Sequence, residues 1–437
     1  MSKKISLVVA FVGMCTLSLF LLNCGSSSSR SSGLLYVLTQ GLSGTGSNVS
    51  SFAIDLNSGN LSLINSNVST CASGTTCGLP LDILLDPTGA VAFVLNQGIP
   101  SASVAPTISS YNVNSDGSLG TPSTAATLAA GDTSIAMARD AGGNFLYVIT
   151  EGNQSLSPPL PPQLLVFSTA PGSPTLTPVV NVLSSLTRIP TALSALTFPA
   201  PPPGSGTTPA CGFSTSEEFL YVTSNRDLTS QHNDNALSVY CVDSSGNLTN
   251  LTPDPPYTPQ VDPISVLAIN TIPAGKTTGG VFVYVGSQPS ASGALSIFQM
   301  CTLVGIAGCQ QSDVTDALLR PVGTSPPATG QNPVAMVVDP TNNFLYVVCY
   351  ISNQVFGYRI NTTAGTLTAL TPVNEPTGSQ PVALALHPSV GNAGQFLYTS
   401  NSNSSNITGL TLSTTSGSMS NPITVVAPAA PSGMTAR

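Results

Sequence analysis

The chain has 437 residues, of which only 6% are charged, with 18 acidic against 10 basic side chains. No stretch is basic enough to track a phosphate backbone, which excludes nucleic acid as a partner. The 39 Gly and 37 Pro bring the composition close to that of a disordered chain, yet 41% of residues are hydrophobic and fall in short, evenly spaced clusters, which excludes disorder.

Lys3 and Lys4 precede an apolar run from Ile5 to Leu22, which ends at Cys24 and "GSSSSRSSG", the layout of an export signal. "LLNC" resembles the lipobox of bacterial lipoproteins, with Asn23 where Gly, Ala or Ser is usual. The resemblance implies a signal peptide over 1–23, a lipidated Cys24 opening a serine-rich tether over 24–33, and a folded domain over 34–437. An uncleaved membrane anchor is the alternative, since the apolar run is at the short end of what spans a bilayer. Either reading holds the domain outside the cytoplasm, at the outer membrane or cell surface or facing the periplasm. Acyl chains contribute about 0.8 kcal/mol per buried CH₂, so two or three of them anchor stably without a transmembrane helix.

From Leu34 onward one strand type recurs seven times: "LLYVLT", "VAFVLN" at Val91, "FLYVIT" at Phe145, "FLYVTS" at Phe219, "FVYVGS" at Phe282, "FLYVVC" at Phe344 and "FLYTSN" at Phe396. A more uniformly apolar strand precedes six of them, often after proline, as in "PLDILLD", "PISVLAI" and "PVALALHP". The first copy lacks this leading strand, and the last residues, "PSGMTAR" from Pro431, supply one. A third strand follows each copy, and usually a fourth after a turn such as "SDGSL" or "TAGTL". Four antiparallel strands repeated seven times predict an all-β, seven-bladed β-propeller whose C-terminal strand joins the N-terminal blade, removing the edges that an open array would expose. Two separate β-sandwiches would leave the strand missing at the start and present at the end unexplained. The copies lie about 60 residues apart, more than the ~40–45 of a compact repeat, so inserts near Pro199, Ile272 and Cys301 absorb the excess. Buried rings at Tyr36, Phe93, Tyr147, Tyr221, Tyr284, Tyr346 and Tyr398 are each worth about 1.5–3 kcal/mol, enough to hold blades together without ion pairs.

Cysteine spacing fits an oxidising compartment, with bridges expected for Cys71 with Cys77 and Cys301 with Cys309, and a third open to Cys211 with Cys241. Cys349 reads as a buried hydrophobe. No CxxC occurs and neither histidine adjoins a cysteine pair, so neither metal nor cofactor is expected.

In a propeller, the loops after the second strand and those leading into the first share one face, the default ligand site. Here they are rich in Asn, Gln and Ser. Charge concentrates in "SNRDLTSQHNDN", which carries Arg226, Asp227, His232 and Asp234, while Glu151, Arg188, Asp132 and Asp262 complete the rim. A catalytic reading uses His232 or Glu151 as general base and Arg188 or Arg226 to hold a carboxylate or phosphate. The plainer reading is a solvated loop whose Asp and Asn residues make turns. His387, just past a leading strand, belongs towards the opposite face in a structural role.

The repeat "PVAMVVDPTNNFLYVVCYISNQVFGYRINTTAGTLTAL" resembles the YVTN-type repeats of the seven-bladed propeller family that includes 6-phosphogluconolactonase-like proteins. The resemblance covers Leu34 to Arg437 and implies the propeller fold. Lactonase-like members carry a Pro-Cys-His run and a paired histidine motif that this sequence lacks, and Gln97 follows Asn96 where that family often has Asn-Glu, so no catalytic residue is carried over. Two functions follow: a lipid-anchored scaffold binding carbohydrate, peptide or an envelope protein, favoured by the scarcity of charge, and a hydrolase opening a sugar lactone.

Overall fold

An apolar inner strand, with proline near its start in six of the seven blades, pairs antiparallel with an aromatic second strand, and this unit recurs seven times in the computed structural model. The structure describes residues 33–437 except 42–45, 180–184, 200–215, 230–232, 253–255, 273–278, 289–291, 302–317, 324–326, 389–393 and 428–429. The expected leader, Cys24 and all of the tether but Gly33 lie outside the described residues, as do Cys211, His232 and Cys309.

From inner to outer strand, blade 1 is Ala430–Ala436, Gly33–Gln40, Asn48–Ile54 and Leu61–Ser69. Blade 2 is Pro80–Leu85, Val91–Asn96, Thr107–Asn112 and Ser123–Thr127, and blade 3 is Ser134–Arg139, Phe145–Thr150, Gln163–Ser168 and Thr177–Pro178. Blade 4 is Arg188–Pro199, Ser216–Asp227, Asn233–Val242 and Leu248–Asn250; blade 5 is Pro263–Asn270, Val281–Ser287, Gly293–Met300 and Leu319–Pro321. Blade 6 is Pro333–Val338, Phe344–Cys349, Gln354–Ile360 and Leu367–Pro376, and blade 7 is Pro381–His387, Gln395–Asn401, Asn406–Leu412 and Met419–Val426. Each inner strand touches the inner strands of both neighbouring blades, and blade 7 touches blade 1, so the cycle closes. The seven-bladed propeller expected from the repeats is the observed fold.

Closure runs through the two chain ends. Gly33–Gln40 pairs with Ala430–Ala436, Tyr36 opposite Thr435, and the backbones of Leu34 and Arg437 exchange hydrogen bonds of 2.9 Å in both directions. Each inner strand is the edge of its sheet, which is where proline is tolerated, because no neighbour needs its missing N–H. One residue in, the register slips at Pro80/Asp82, Ser134/Ala136, Pro190/Ala192, Pro263/Ser265, Pro333/Ala335 and Pro381/Ala383. Such bulges re-aim side chains. Some of those side chains stitch blades together: the hydroxyls of Ser432, Thr191 and Ser265 donate to the carbonyls of Pro80, Pro263 and Pro333 in the next blade, at 3.0, 2.7 and 2.6 Å.

The core is divided among the seven seams between blades. Tyr36 and Leu38 meet Ile83 and Val94 in one seam, and Phe396 and Tyr398 meet Leu35 and Val37 in the seam that closes the ring. The repeated tyrosine does more than fill space. Tyr36, Tyr284, Tyr346 and Tyr398 each donate to the carbonyl of a hairpin glycine in the next blade, Gly117, Gly365, Gly417 and Gly59, at 2.8–2.9 Å. A buried hydroxyl without that partner would cost about 1–3 kcal/mol. His387 is buried at the far end of its inner strand, against Gly33: a Cβ on Gly33 would lie 2.3 Å from Nε2. Cys71 and Cys77 form a disulfide, and Cys241 and Cys301 are each engaged in a disulfide as well. Cys349 is buried, 3.3 Å from the Thr329 hydroxyl, and burial pushes its thiol up to about 11.

The seams on either side of blade 4 depart from this pattern. Tyr147 and Tyr221 are buried with their hydroxyls unpaired, and so is Oε1 of Glu218, whose Oε2 accepts from the Thr197 hydroxyl. Desolvation pushes the Glu218 carboxyl up to about 8, and the nearby Asp140 adds to the rise.

Two outcomes follow. A chain ending at Ala427 leaves the strand Gly33–Gln40 with an unpaired edge, and size-exclusion chromatography should show oligomers with a markedly lowered Tm; a monomer melting like the full chain would refute closure as the stabilising element. Glu218 is neutral when folded but ionises above about pH 4.5 when unfolded, so its contribution to stability is present below pH 4.5 and declines as pH rises to about 8. Glu218→Gln should therefore flatten the loss of stability between pH 5 and 8 by a few kcal/mol, on the order set by ~1.4 kcal/mol per pKa unit, in urea titrations across that range.

Candidate functional site

One backbone bond recurs at one end of the ring and defines its mouth. The N–H just after the second strand donates to the carbonyl just before the inner strand: Gln97 to Leu79, Glu151 to Thr133, Gln288 to Asp262, Tyr350 to Asn332 and Ser402 to Gln380, at 2.7–3.0 Å. With Gln40 and Arg226 at the same position in blades 1 and 4, each blade presents one such side chain, and only Glu151 and Arg226 are charged. The amides serve the backbone too: Nε2 of Gln40 donates to the Pro80 carbonyl at 3.3 Å, and Oε1 of Gln288 accepts from the Asn332 N–H. Asp262, Asn332 and Gln380, each just before an inner-strand proline, adopt φ of 54–59°, a conformation that non-glycine residues rarely take and that clusters at functional sites.

Blade 4 brings together three of the rim residues expected from the sequence. Its first two strands are twelve residues long and run past the level of the other blades, pairing Arg188 with Asp227 and Arg226 with Asn233. Nε and Nη2 of Arg188 lie 3.0 Å from Asp234 Oδ2, and Nη2 lies 3.3 Å from Asp227 Oδ2. Arg188 is thus committed to two carboxylates of its own chain. Asp262 is tied to the same blade: Oδ1 of Asn235 accepts its N–H at 2.8 Å, and Asn225 Nδ2 donates to its Oδ1 at 3.4 Å. Arg226 is exposed on the second strand, and His232 falls outside the described residues.

Blade 3 treats its two acids differently. Glu151 is exposed. Asp132 is fully buried, its Oδ1 accepting the N–H groups of Thr133 at 2.7 Å and Gly152 at 2.9 Å, while Oδ2 has no partner. Desolvation outweighs those bonds and raises its pKa. The loop after the second strand covers it: Asn153 Nδ2 donates to the Gly131 carbonyl at 2.9 Å, and Leu156 packs against Gly131. The loop therefore stands between Asp132 and the mouth.

A half-buried carboxyl also escaped the sequence reading. Asp82 sits in the inner strand of blade 2, where the matching residues are Ala136, Ala192, Ser265, Ala335 and Ala383. Burial pushes it up to about 6 against backbone hydrogen bonds from Ile83, at 2.8 Å, and Met137 of the next blade. The available signal was an acid inside the otherwise apolar "PLDILLD". Raised carboxyls are functional candidates because they stay protonated where others ionise. Below the mouth, against blade 4, a cleft of about 50 Å³ is lined by Thr187, Arg188, Ser224, Ser238, Tyr240 and Asn250 among others. No cluster of three or more His, Cys, Asp or Glu suited to a metal occurs among the described residues.

Solved structures share this architecture. A protein from Lactobacillus plantarum superposes with a TM-score of 0.61 at 14% identity, over 93% of this chain and 99% of its own. A candidate 6-phosphogluconolactonase from Bacteroides fragilis gives 0.60 at 13% over 94% and 100%, and the periplasmic gluconolactonase of Pseudomonas aeruginosa gives 0.61 at 17% over 92% and 98%. Identities this low speak for the fold alone. No curated protein matches the sequence. Residues 320–436 match the model of a family described as Lactonase, 7-bladed beta-propeller, and the ring that these residues close has the fold named in that description.

Proposed function

We propose that this is an exported, lipid-anchored propeller that binds an uncharged polyhydroxylated ligand, a sugar or a sugar derivative, at its mouth. The observation that carries this reading is the commitment of Arg188, Asp227, Asp234 and Asp132 to the protein itself. Arg188 is held by Asp227 and Asp234, and Asp132 lies under its own loop with one oxygen bonded to backbone. What remains at the mouth is mostly amide and hydroxyl, which recognises neutral polar ligands by hydrogen bonding. An anionic ligand would need an uncommitted cation aimed at it. The leader and Cys24 support export and anchoring as proposals of the sequence.

Lactone hydrolysis is the second reading, favoured by the family match over 320–436 and by the unpaired oxygen of Asp132. Opening a lactone requires a base to activate water and donors for the tetrahedral oxyanion. Asp132 would supply the base only when the covering loop lifts and the carboxyl ionises, so activity would rise with pH through its raised pKa.

A panel of sugar lactones and their parent sugars, offered to the purified mature protein, separates the two. The binding reading predicts calorimetric heats with the sugars and no ring opening by pH-stat. Turnover that increases with pH and falls at least a hundredfold in Asp132→Asn would replace it with the hydrolase.

A further inference from the structure

We propose that the cleft against blade 4, which shares Arg188 with the rim of the mouth, is a second ligand site that takes the vicinal-diol edge of a small neutral polyol or sugar. One wall is made by Leu186 and Thr187 at the entry to blade 4, where the Leu186 N–H donates to the Pro162 carbonyl at 2.8 Å and the Thr187 carbonyl accepts from Leu228 at 2.9 Å. Val222 and Leu186 give the cleft an apolar lining, and its remaining contacts are almost all polar. A water-sized occupant needs about 10–15 Å³ of such space, so the cleft's volume holds about three or four units, the size of a three-carbon polyol.

The hydrogen-bonding groups are arranged for a ligand that both donates and accepts. Ser224 is 2% exposed, lines the cleft, and its hydroxyl has no partner. Arg188 uses Nε and Nη2 on the two carboxylates, which leaves Nη1 without a hydrogen bond and holds the guanidinium plane fixed. The Tyr240 ring is buried, and both the Ser238 hydroxyl and the Arg188 charge reach its phenol. Asn250 Oδ1 is taken by the Thr252 N–H at 2.9 Å, so its amide is the end left to donate. A buried, unpaired hydroxyl beside a fixed cation is costly unless something pairs with it.

Charge sets the ligand class. Arg188 with Asp227 and Asp234 carries one formal positive charge against two negative, so a carboxylate or phosphate is repelled and the guanidinium is not available as an anion clamp. A diol supplies two hydroxyls, one accepting from Nη1 and one exchanging donor and acceptor roles with Ser224 or Tyr240.

Saturation-transfer NMR on the full mature protein tests this with glycerol and methyl α-glucopyranoside as probes and acetate and ethylammonium as charged controls. Wild type should transfer saturation to both polyols and to neither ion. Ser224→Ala and Tyr240→Phe should each weaken polyol binding at least fivefold, whereas Leu63→Ala, on an exposed outer strand, leaves it unchanged. Tyr240→Phe keeps the ring volume, so the test survives if Ser224→Ala fails to fold. No transfer to the polyols, equal transfer in the two variants and wild type, or binding of acetate or ethylammonium as strong as that of glycerol would each overturn the proposal.

Discussion

Two reciprocal hydrogen bonds between the backbones of Leu34 and Arg437, each 2.9 Å, join the two chain ends within the first blade. Each blade is apolar on both faces, because its second strand sends alternate residues into the seam on either side: Phe219 and Tyr221 go to the seam with blade 5, Leu220 and Val222 to the seam with blade 3. No blade can therefore satisfy itself, and an open row of seven would leave two apolar faces in water. The terminal pairing converts those two faces into one more seam, in which Phe396 and Tyr398 meet Leu35 and Val37. Tyr398 then reaches Gly59, 339 residues earlier, as its counterparts reach theirs.

The scarcity of charge follows from the same arrangement. A protein held by seven apolar seams needs few ion pairs, and six of its 18 acids serve hairpin turns. Asp86, Asp140 and Asp339 close the first hairpin of their blades by accepting the N–H of Val91, Phe145 and Phe344 at 2.8, 2.8 and 2.6 Å. Asp55, Asp116 and Asp243 do the same for the outer hairpins, where hydrogen bonds to Ser58, Ser118 and Asn247 hold their carboxyls below the usual range. At the mouth Arg188, Asp227 and Asp234 satisfy one another, and most of the other side chains are amides and hydroxyls, which is why binding of neutral ligands fits it better than acid–base chemistry.

Strand identity, blade count and closure were legible because they rest on repetition: a period-2 aromatic strand behind a proline-led apolar one leaves the same mark seven times. Site chemistry was less legible because it depends on register. Arg188, Asp227 and Asp234 each stood out as rim residues, but their mutual neutralisation follows from a hairpin that pairs positions 188 with 227 and 226 with 233, and loop composition does not set that register. Asp82 was hidden inside a run read as uniformly apolar. The buried state of Asp132 depends on where the loop beginning at Glu151 folds, which is a matter of Gly152 and Asn153 finding partners rather than of local pattern.

The departures from the repeat gather around blade 4. In the seams on its two sides Tyr147 and Tyr221 lack the glycine carbonyl, a buried carboxyl appears at Glu218, and the first hairpin of blade 4 outgrows the others. The cleft with the unpaired Ser224 hydroxyl lies against the same blade. Four seams share one solution, a tyrosine hydroxyl on a hairpin glycine carbonyl of the next blade, and the two tyrosines beside blade 4 do without it. A sequence that keeps unpaired buried groups where a paired solution is available trades stability for something else, and in a repeat protein that exchange is expected where a ligand supplies the missing partners.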